Sequence, residues 1–373
     1  MHRVHLTYTL EGREAAQRNL HHPLLALLGA VHDQGSISGA ARVLSLSYRH
    51  VWGELKRWEA ALGQALVSWV KGQPATLSPF AEKLLWAERR AQARLAPQIE
   101  SLRSELERAF AVAFDEGAGL IPISASHDDA LPLLRQWAQD EHRLYLDIQF
   151  GGSIGALQAL NDGRCLLAGF HAVADAPPRS PTARAYRALL RPGRHKLVGL
   201  AARTQGLIVA PGNPLALQRL ADLYRPGLRF VHRAPGAGTR VLLDELLARE
   251  HRRLADLPAL VPAEASHRAA AEAVASGRAQ ASFGIEAAAR ALGLDFVPLA
   301  EEQYFLVALR PTLDHPHVRA LLELLQGPAW QARLAALPGY RAERSGEVLA
   351  LRRVLPWWTY RRPKRREAAA DAV

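Results

Sequence analysis

The sequence predicts an α/β protein with a small helical unit at its N-terminal end, and three observations carry that prediction. Residues 20–77 hold short amphipathic segments punctuated by glycine and serine. Residues 78–114 hold one long helical pattern with an apolar stripe. From Leu120 onward, short apolar runs alternate with helical patterns, the rhythm of strands covered by helices. At 373 residues, two or three domains are expected, and 49% hydrophobic residues are ample for their cores.

Taken in order, Leu24, Leu25, Leu27, Leu28 and Val31 make one apolar helix face, which Gly35 ends. Ser36 can cap the next helix, which carries Ala40, Ala41 and Leu44. The alanines are small where two helices must cross closely. After a break at Leu44-Ser45-Leu46, Ser47 can cap a third helix. Its Val51, Leu55, Trp58 and Leu62 share one face, and Gly63 stops it. Leu66–Val70 and Ala75–Leu77 read as two strands joined by the turn Lys71-Gly72-Gln73-Pro74. In the long helix, Leu95, Ile99, Leu102, Leu106 and Phe110 form a stripe that needs a partner helix, and Pro97 is expected to kink or interrupt it. Gly117-Ala118-Gly119 marks a domain boundary.

Beyond it, strands are expected at Leu120–Ser124, Leu144–Gln149, Leu166–Phe170, Leu207–Ala210, Leu228–Val231, Ala281–Ile285, Phe296–Leu299 and Tyr304–Ala308, in parallel sheets. Helices are expected at Ala130–Gln139, Ile154–Leu160, Thr239–Glu250 and Ala269–Ala275. Ala176–Pro192, rich in Pro and Arg, reads as a loop or insertion. The domains are therefore 1–77, 78–118 as a linker and dimerisation helix, 119–345, and a basic tail over 346–373.

One cysteine, Cys165, excludes a disulfide framework and a cysteine-based metal cluster. The N-terminus has no continuous apolar run of a secretory signal, and Pro23–Val31 is too short to span a bilayer, so a cytoplasmic protein without a membrane partner is expected. The formal charge of +11 favours a polyanionic partner. From Arg352 onward seven basic residues face two acidic ones, a pattern that first reads as a solvated tail.

The third helix commits its apolar side to the core and leaves Ser47, Tyr48, Arg49 and Lys56 on or near the other. Such an N-terminal helix end suits the major groove of double-stranded DNA. Arg49 can read a guanine edge or hold a phosphate, Lys71 at the hairpin tip can touch backbone, and Ser36 joins this surface. Trp52 can pack against the hairpin or contact a base. Residues 22–85 resemble the winged helix-turn-helix of LysR-type regulators and, more closely, of molybdate-responsive ModE-like regulators. The matching pieces are Gly35-Ser36-Ile37-Ser38, Ala40-Ala41, Ser47-Tyr48-Arg49, Trp52, Leu62–Leu66 and Leu77-Ser78. In that family the long helix makes a dimer, so a homodimer or higher homo-oligomer is implied.

In the second half, Ser124–Asp128, Gly151–Ser153, Gly236–Arg240 and Ala265–His267 each put small or hydroxyl residues just before a helix. Free N–H groups and partial positive charge at a helix start suit an oxyanion, and Arg233 and Arg240 add formal charge. Gly236–Arg240 lacks the Lys-Ser/Thr ending of a P-loop. Residues 119–345 resemble the two-lobed, type II periplasmic-binding-protein-like domain of molybdate-binding proteins. The segments that carry this resemblance are Gly151–Leu157, Leu167–His171, Arg233–Arg240, Ser266–Ile285 and Phe296–Leu306. The resemblance implies lobes at 119–205 with 300–345 and at 206–299. It also implies a small anionic effector such as molybdate or tungstate, and control of molybdenum, tungsten or formate dehydrogenase genes. Usual ModE regulators carry different C-terminal domains, a pattern absent here. Ser126, Gly152, Ser153, Arg233, Gly238, Thr239 and Arg240 are expected to hold the anion, with Ser266, Glu286 and Tyr304 lining the cleft. Neither a cofactor nor a metal site is expected, and no nucleophile with a paired base suggests an enzyme. The rivals are a regulator sensing formate, another organic acid or a pterin cofactor, an enzyme of molybdenum-cofactor metabolism, and a DNA-binding architectural protein.

Overall fold

The structure, a computed structural model, describes residues 22–68, 75–114, 119–173, 175–258 and 260–358. Two compact units divide it, Met1–Ala96 and Pro97–Val373.

The first unit contains α1 (Pro23–Gln34), α2 (Ile37–Val43), α3 (Tyr48–Leu62), the two-residue strands β1 (Val67–Ser68) and β2 (Thr76–Leu77), and the start of α4 (Pro79–Phe114). Local chemistry sets each boundary. His22 Nδ1 accepts the Leu24 N–H at 3.2 Å, Ser36 Oγ that of Gly39 at 3.0 Å, and Ser47 Oγ that of His50 at 3.1 Å. Gly35 and Gly63 end α1 and α3 in the left-handed region, at φ 59° and 65°. Leu28, Val31, Ala40, Ala41, Val51, Leu55, Leu66 and Leu85 close one core. The Glu59 carboxylate accepts the N–H groups of Leu66 and Val67, tying α3 to the hairpin. The tip of that hairpin, Lys71 included, lies outside the described residues.

α4 runs through Pro97 as one element, so the proline does not end it. From Pro97 on it is part of the second unit: Glu100 pairs with Arg135 at 2.5 Å, and Ser104 Oγ accepts from Arg135 Nη1 at 2.8 Å. Ser101 Oγ accepts the Phe150 N–H at 2.9 Å. Leu95, Ile99, Leu102 and Leu106 stay exposed.

The second unit continues with β3 (Gly119–Ser126), α5 (Ala130–His142), β4 (Leu144–Gly151), α6 (Ser153–Asn161), β5 (Leu167–Ala172), α7 (Pro181–Tyr186) and β6 (His195–Val209). There follow β7 (Phe230–Arg233), α8 (Gly238–Arg249), β8 (Leu260–Glu264), α9 (His267–Ala275), β9 (Ala281–Ile285), α10 (Glu286–Arg290) and β10 (Asp295–Leu309). It closes with α11 (Pro316–Gln326), α12 (Pro328–Ala335), β11 (Tyr340–Arg341), β12 (Val348–Ala350) and α13 (Leu351–Val354). The sheet order is β4-β3-β5-β10-β6-β9-β7-β8, with β11 and β12 also on β6.

The expected parallel sheets are therefore halves of one mixed sheet. β3, β4 and β5 are parallel, as are β7, β8 and β9, but the long β6 and β10 run antiparallel between the two groups. β5 pairs with the Gln303–Ala308 end of β10, and β9 with the Gln205–Val209 end of β6. Each crossing strand thus serves both lobes. Two cores, one around Ile123 and Leu306 and one around Phe170 and Phe230, fill the helix layers.

Two sequence expectations need correction. The stretch Ala176–Pro192 is not a bare loop: α7 lies in it, with Tyr186 fully buried against Phe170. The tail does not begin at 346: β12 pairs with β6, and Trp357 is buried with its Nε1 donating to the Ala176 carbonyl at 3.0 Å. Apolar residues interleaved with the arginines explain both. Residues 359–373 lie outside the described set.

Candidate functional site

Two surfaces concern function, one in each unit. On α3, the side away from Val51 and Leu55 exposes Tyr48, Arg49, His50 and Lys56. Tyr48 stacks on Trp52 with centroids 6.5 Å apart, and Lys56 Nζ stands 4.8 Å over the Trp52 ring and 2.6 Å from Glu59 Oε2. Trp52 itself is half-buried against the helical core. Arg49 is in no ion pair among the described residues. Ser36 and Ser47 spend their hydroxyl oxygens as helix caps, so their place at this surface fixes geometry first.

In the second unit, strand ends of both lobes converge, as an open α/β sheet brings its loops to the carboxyl ends of strands. β3 leads to Ser126–Asp129, β4 to Gly152-Ser153, β5 carries His171 next to its last residue, β7 leads to Arg233–Thr239 and β8 to Ser266-His267. The lobes are in contact. A Cβ added at Gly152 would lie 2.7 Å from the Gly236 carbonyl oxygen, and one at Gly238 would lie 2.9 Å from Ser153 Oγ and 3.0 Å from His171 Nδ1. Neither α6 nor α8 has a side-chain N-cap; in α8 the Arg240 N–H donates to the Ala237 carbonyl at 3.0 Å, and no side chain caps the N–H groups of Ser153, Gly238 and Thr239.

The floor is a charge network on the crossing strands. The Arg203 guanidinium donates to Glu302 Oε1 at 2.6 Å and to the Asp128 carboxylate, which also accepts from Tyr340 Oη at 2.9 Å. Gln205 Nε2 donates to Glu302 Oε1 and to Thr239 Oγ1, the latter at 3.3 Å. Burial alone would raise the Asp128 pKa, but Arg203 and then His171 hold it down at about 2. Asp129 beside it goes the other way, to about 6, through burial and the Asp128 charge. The Ser126 hydroxyl sits 3.0 Å from His171 Nδ1, and the Tyr304 hydroxyl donates to the Ser126 carbonyl at 3.3 Å while its ring stacks on His171. Burial lowers the pKa of both His171 and His267, with Arg203 and Arg233 respectively adding to the effect.

Arg233 stands apart from this balance. Its Nε and Nη2 donate to the Glu264 and Ala265 carbonyls at 3.3 and 2.9 Å, but no carboxylate pairs with it among the described residues, and Nη1 is buried without a partner. Burial, then the nearby Arg203 charge, depress its pKa to about 9. A buried guanidinium without a counterion is costly, and an anion placed between it and the two helix starts would relieve that cost.

Of the residues expected from sequence, Ser126, Gly152, Ser153, Arg233, Gly238, Thr239 and Tyr304 are brought together here. Ser266 is adjacent, but its hydroxyl accepts the Ala269 N–H at 3.1 Å as the cap of α9. Arg240 is not in the cradle: its Nη1 donates to the Arg233 carbonyl at 2.9 Å, on the His232 side of β7, while the Arg233 side chain leaves by the other face. Glu286 is not brought in either, pairing with Arg290 on α10 at 3.2 Å. Asp128, His171, Arg203, Gln205, Glu302 and Tyr340 were not foreseen as site residues. The available signal was Arg203-Thr204-Gln205 interrupting an otherwise non-polar run from Leu197 to Val209. Among the described residues, no group of three or more His, Cys, Asp or Glu side chains is placed to hold a metal ion. No described helix is long and apolar enough to cross a membrane.

The model of the PBP superfamily domain matches residues 134–326, more than half of the chain. The chain belongs to the PBP superfamily. To its PBP domain is joined a helix-turn-helix that matches, over residues 23–82, the model of bacterial regulatory helix-turn-helix proteins of the lysR family. Two relatives are the uncharacterized protein YvgK of Bacillus subtilis (strain 168) and an uncharacterized protein in the 5' region of a 2Fe-2S ferredoxin gene of Clostridium pasteurianum. The first is 33% identical over 54% of this chain and 64% of its own length; the second is 29% identical over 22% of this chain and 75% of its own. This chain therefore spans a little under two thirds of YvgK. Among solved structures, an OxyR mutant of Corynebacterium glutamicum is similar at 17% identity and TM-score 0.44, covering 84% of this chain and 92% of its own. Full-length CbnR complexed with its target DNA is similar at 18% identity and TM-score 0.40, covering 80% and 98%.

Proposed function

We propose that this PBP-superfamily chain is a cytoplasmic transcriptional regulator that binds double-stranded DNA through α3 as a homodimer or higher homo-oligomer, and that its two-lobed domain senses a small oxyanion. The observation that carries the effector class is Arg233: a buried, unpaired guanidinium at the meeting of two uncapped helix starts. Arg203, by contrast, already has Asp128 and Glu302, and so belongs to the scaffold. Molybdate or tungstate is the effector of first choice, on the sequence resemblance to molybdate-binding proteins, and genes of molybdenum, tungsten or formate dehydrogenase enzymes are the corresponding targets. The anion would hold the lobes closed and so bias operator binding; a coupling of about 1–3 kcal/mol is enough.

Isothermal titration of the full chain with molybdate, tungstate, sulfate and formate tests the effector. Saturable binding of molybdate or tungstate with sulfate silent supports the reading. Binding of formate alone would move the effector to a carboxylate, and no heat from any of the four would remove the small oxyanion.

A further inference from the structure

The effector domain carries a second concentration of positive charge, unrelated to the cleft. Arg184, Arg187, Arg191, Arg194, Lys196 and Arg310 lie along α7, the turn that follows it, the start of β6 and the residue just after β10. Three contacts gather Arg191, Arg194, Lys196 and Arg310 at one end of the sheet, and Arg184 and Arg187 precede them in the chain. The Arg310 N–H donates to the Arg194 carbonyl at 2.9 Å. The Arg191 N–H donates to His195 Nδ1, also at 2.9 Å. Lys196 pairs in register with Ala308 of β10 on one side and with Ala350 of β12 on the other. All but the half-buried Lys196 are exposed, and none of the six is in an ion pair among the described residues. Arginines elsewhere on the same unit do find carboxylates: Arg249 has Asp175 and Glu245, Arg344 has Glu347, and Arg333 has Glu141. Such a concentration of unneutralised cations raises the local potential and collects polyanions. In sequence, Trp357 is followed by a further basic run, Arg361-Arg362 and Lys364-Arg365-Arg366.

We propose that this face of the effector domain binds the phosphate backbone of double-stranded DNA without regard to sequence, as a contact separate from α3. Arginines serve this purpose because each guanidinium donates several hydrogen bonds to phosphate oxygens. The face supplies affinity and holds flanking duplex, while α3 supplies selection. It does not depend on the anion-sensing role of the cleft.

The test is the salt dependence of binding to a random-sequence duplex, read by fluorescence anisotropy with the full chain. The variant is Arg187→Ala/Arg191→Ala/Arg194→Ala/Arg310→Ala. Each backbone contact contributes about 0.9 to the slope of log affinity against log salt, so losing four should flatten it by about 3 to 4. An unchanged slope would overturn the proposal. So would an unchanged slope accompanied by loss of binding to vesicles of anionic lipid, which would assign the face to a membrane surface. Exposed arginine-to-alanine changes should leave the melting temperature unaltered, which checks that the fold survives. Repeating the series with Arg49→Ala separates the two contacts. If Arg49→Ala is silent on operator DNA while the fourfold variant still flattens the slope, the α3 reading fails and this one stands; the reverse result sinks this one alone.

Discussion

Arg233 is the residue on which the anion reading turns. Its two backbone acceptors satisfy part of the guanidinium and leave one buried nitrogen with nothing to bond. Arg233→Gln should therefore weaken molybdate or tungstate binding roughly 10- to 100-fold, the range of a lost charge-assisted bond. The effector-free melting temperature should not fall, because the variant also removes an uncompensated charge. Arg240→Ala should cost less affinity, since its guanidinium is spent on the Arg233 carbonyl; calorimetry on both variants decides, and a larger loss at Arg240 would reverse the assignment. A second residue-scale expectation concerns pH. His127, His195 and His232 are each held down to about 4, with burial the largest cause and neighbouring arginines the next. The unfolded chain takes up these protons below about 6.5 and the folded chain only near 4. Their contribution is thus complete above 6.5 and is lost as pH falls toward 4, so stability rises with pH across that window. Asp129, raised to about 6, works against this between about 4 and 6. One carboxyl is outweighed by three imidazoles, so urea midpoints measured from pH 4 to 7 should climb; a profile that falls with pH would mean that these rings are not buried neutral.

At the scale of elements, the close approach of the β4–α6 and β7–α8 turns is a contact of backbone on backbone. Gly152→Ala would drive a methyl group to 2.7 Å from the Gly236 carbonyl oxygen, and backbone cannot rotate away as a side chain can. The variant should hold the lobes apart, enlarging the radius of gyration in X-ray scattering and weakening effector binding tenfold or more. Unchanged scattering and affinity would show that the contact does not limit closure. On α3, Arg49→Ala should weaken operator binding in a footprint titration by about 10-fold or more, the worth of one good base or phosphate contact, with effector binding intact. Ser47→Ala belongs to the same helix but acts differently. It removes the cap at His50 N–H and should cost about 1 kcal/mol of stability in the first unit.

For the whole molecule, the unmet demand is the stripe of Leu95, Ile99, Leu102 and Leu106, each more than a third exposed on α4. Polar bonds from Glu100, Ser101 and Ser104 tie the opposite side of that helix into the second unit, and under the proposed homodimer a second copy of the chain would cover the leucine side. Leu102→Glu should shift sedimentation toward monomer and weaken operator binding through lost bivalency. A Leu102→Glu protein that still sediments as the parent does would remove the stripe from the interface.

Sequence periodicity and capping by themselves determined the first unit: the 3.6-residue spacing of Leu24 to Val31 and of Val51 to Leu62, with Ser36, Ser47, Gly35 and Gly63 at the boundaries, are local signals that neighbours in the chain complete. They also marked the strand-to-helix turns, because a small residue before a helix is a local requirement. Only the tertiary structure decided what those turns meet. β6 was visible merely from Leu207 to Ala210, because Arg203 and Gln205 break its apolar run, and their reason for being buried is a carboxylate about a hundred residues away at Glu302. The same long-range pairing decides which arginine faces the cleft. Arg233 and Arg240 look equivalent in sequence, but strand alternation sends one side chain inward, while the helix start turns the other back onto the strand's carbonyl. Charge satisfaction is a property of partners distant in the chain, and spacing within a segment carries no record of it.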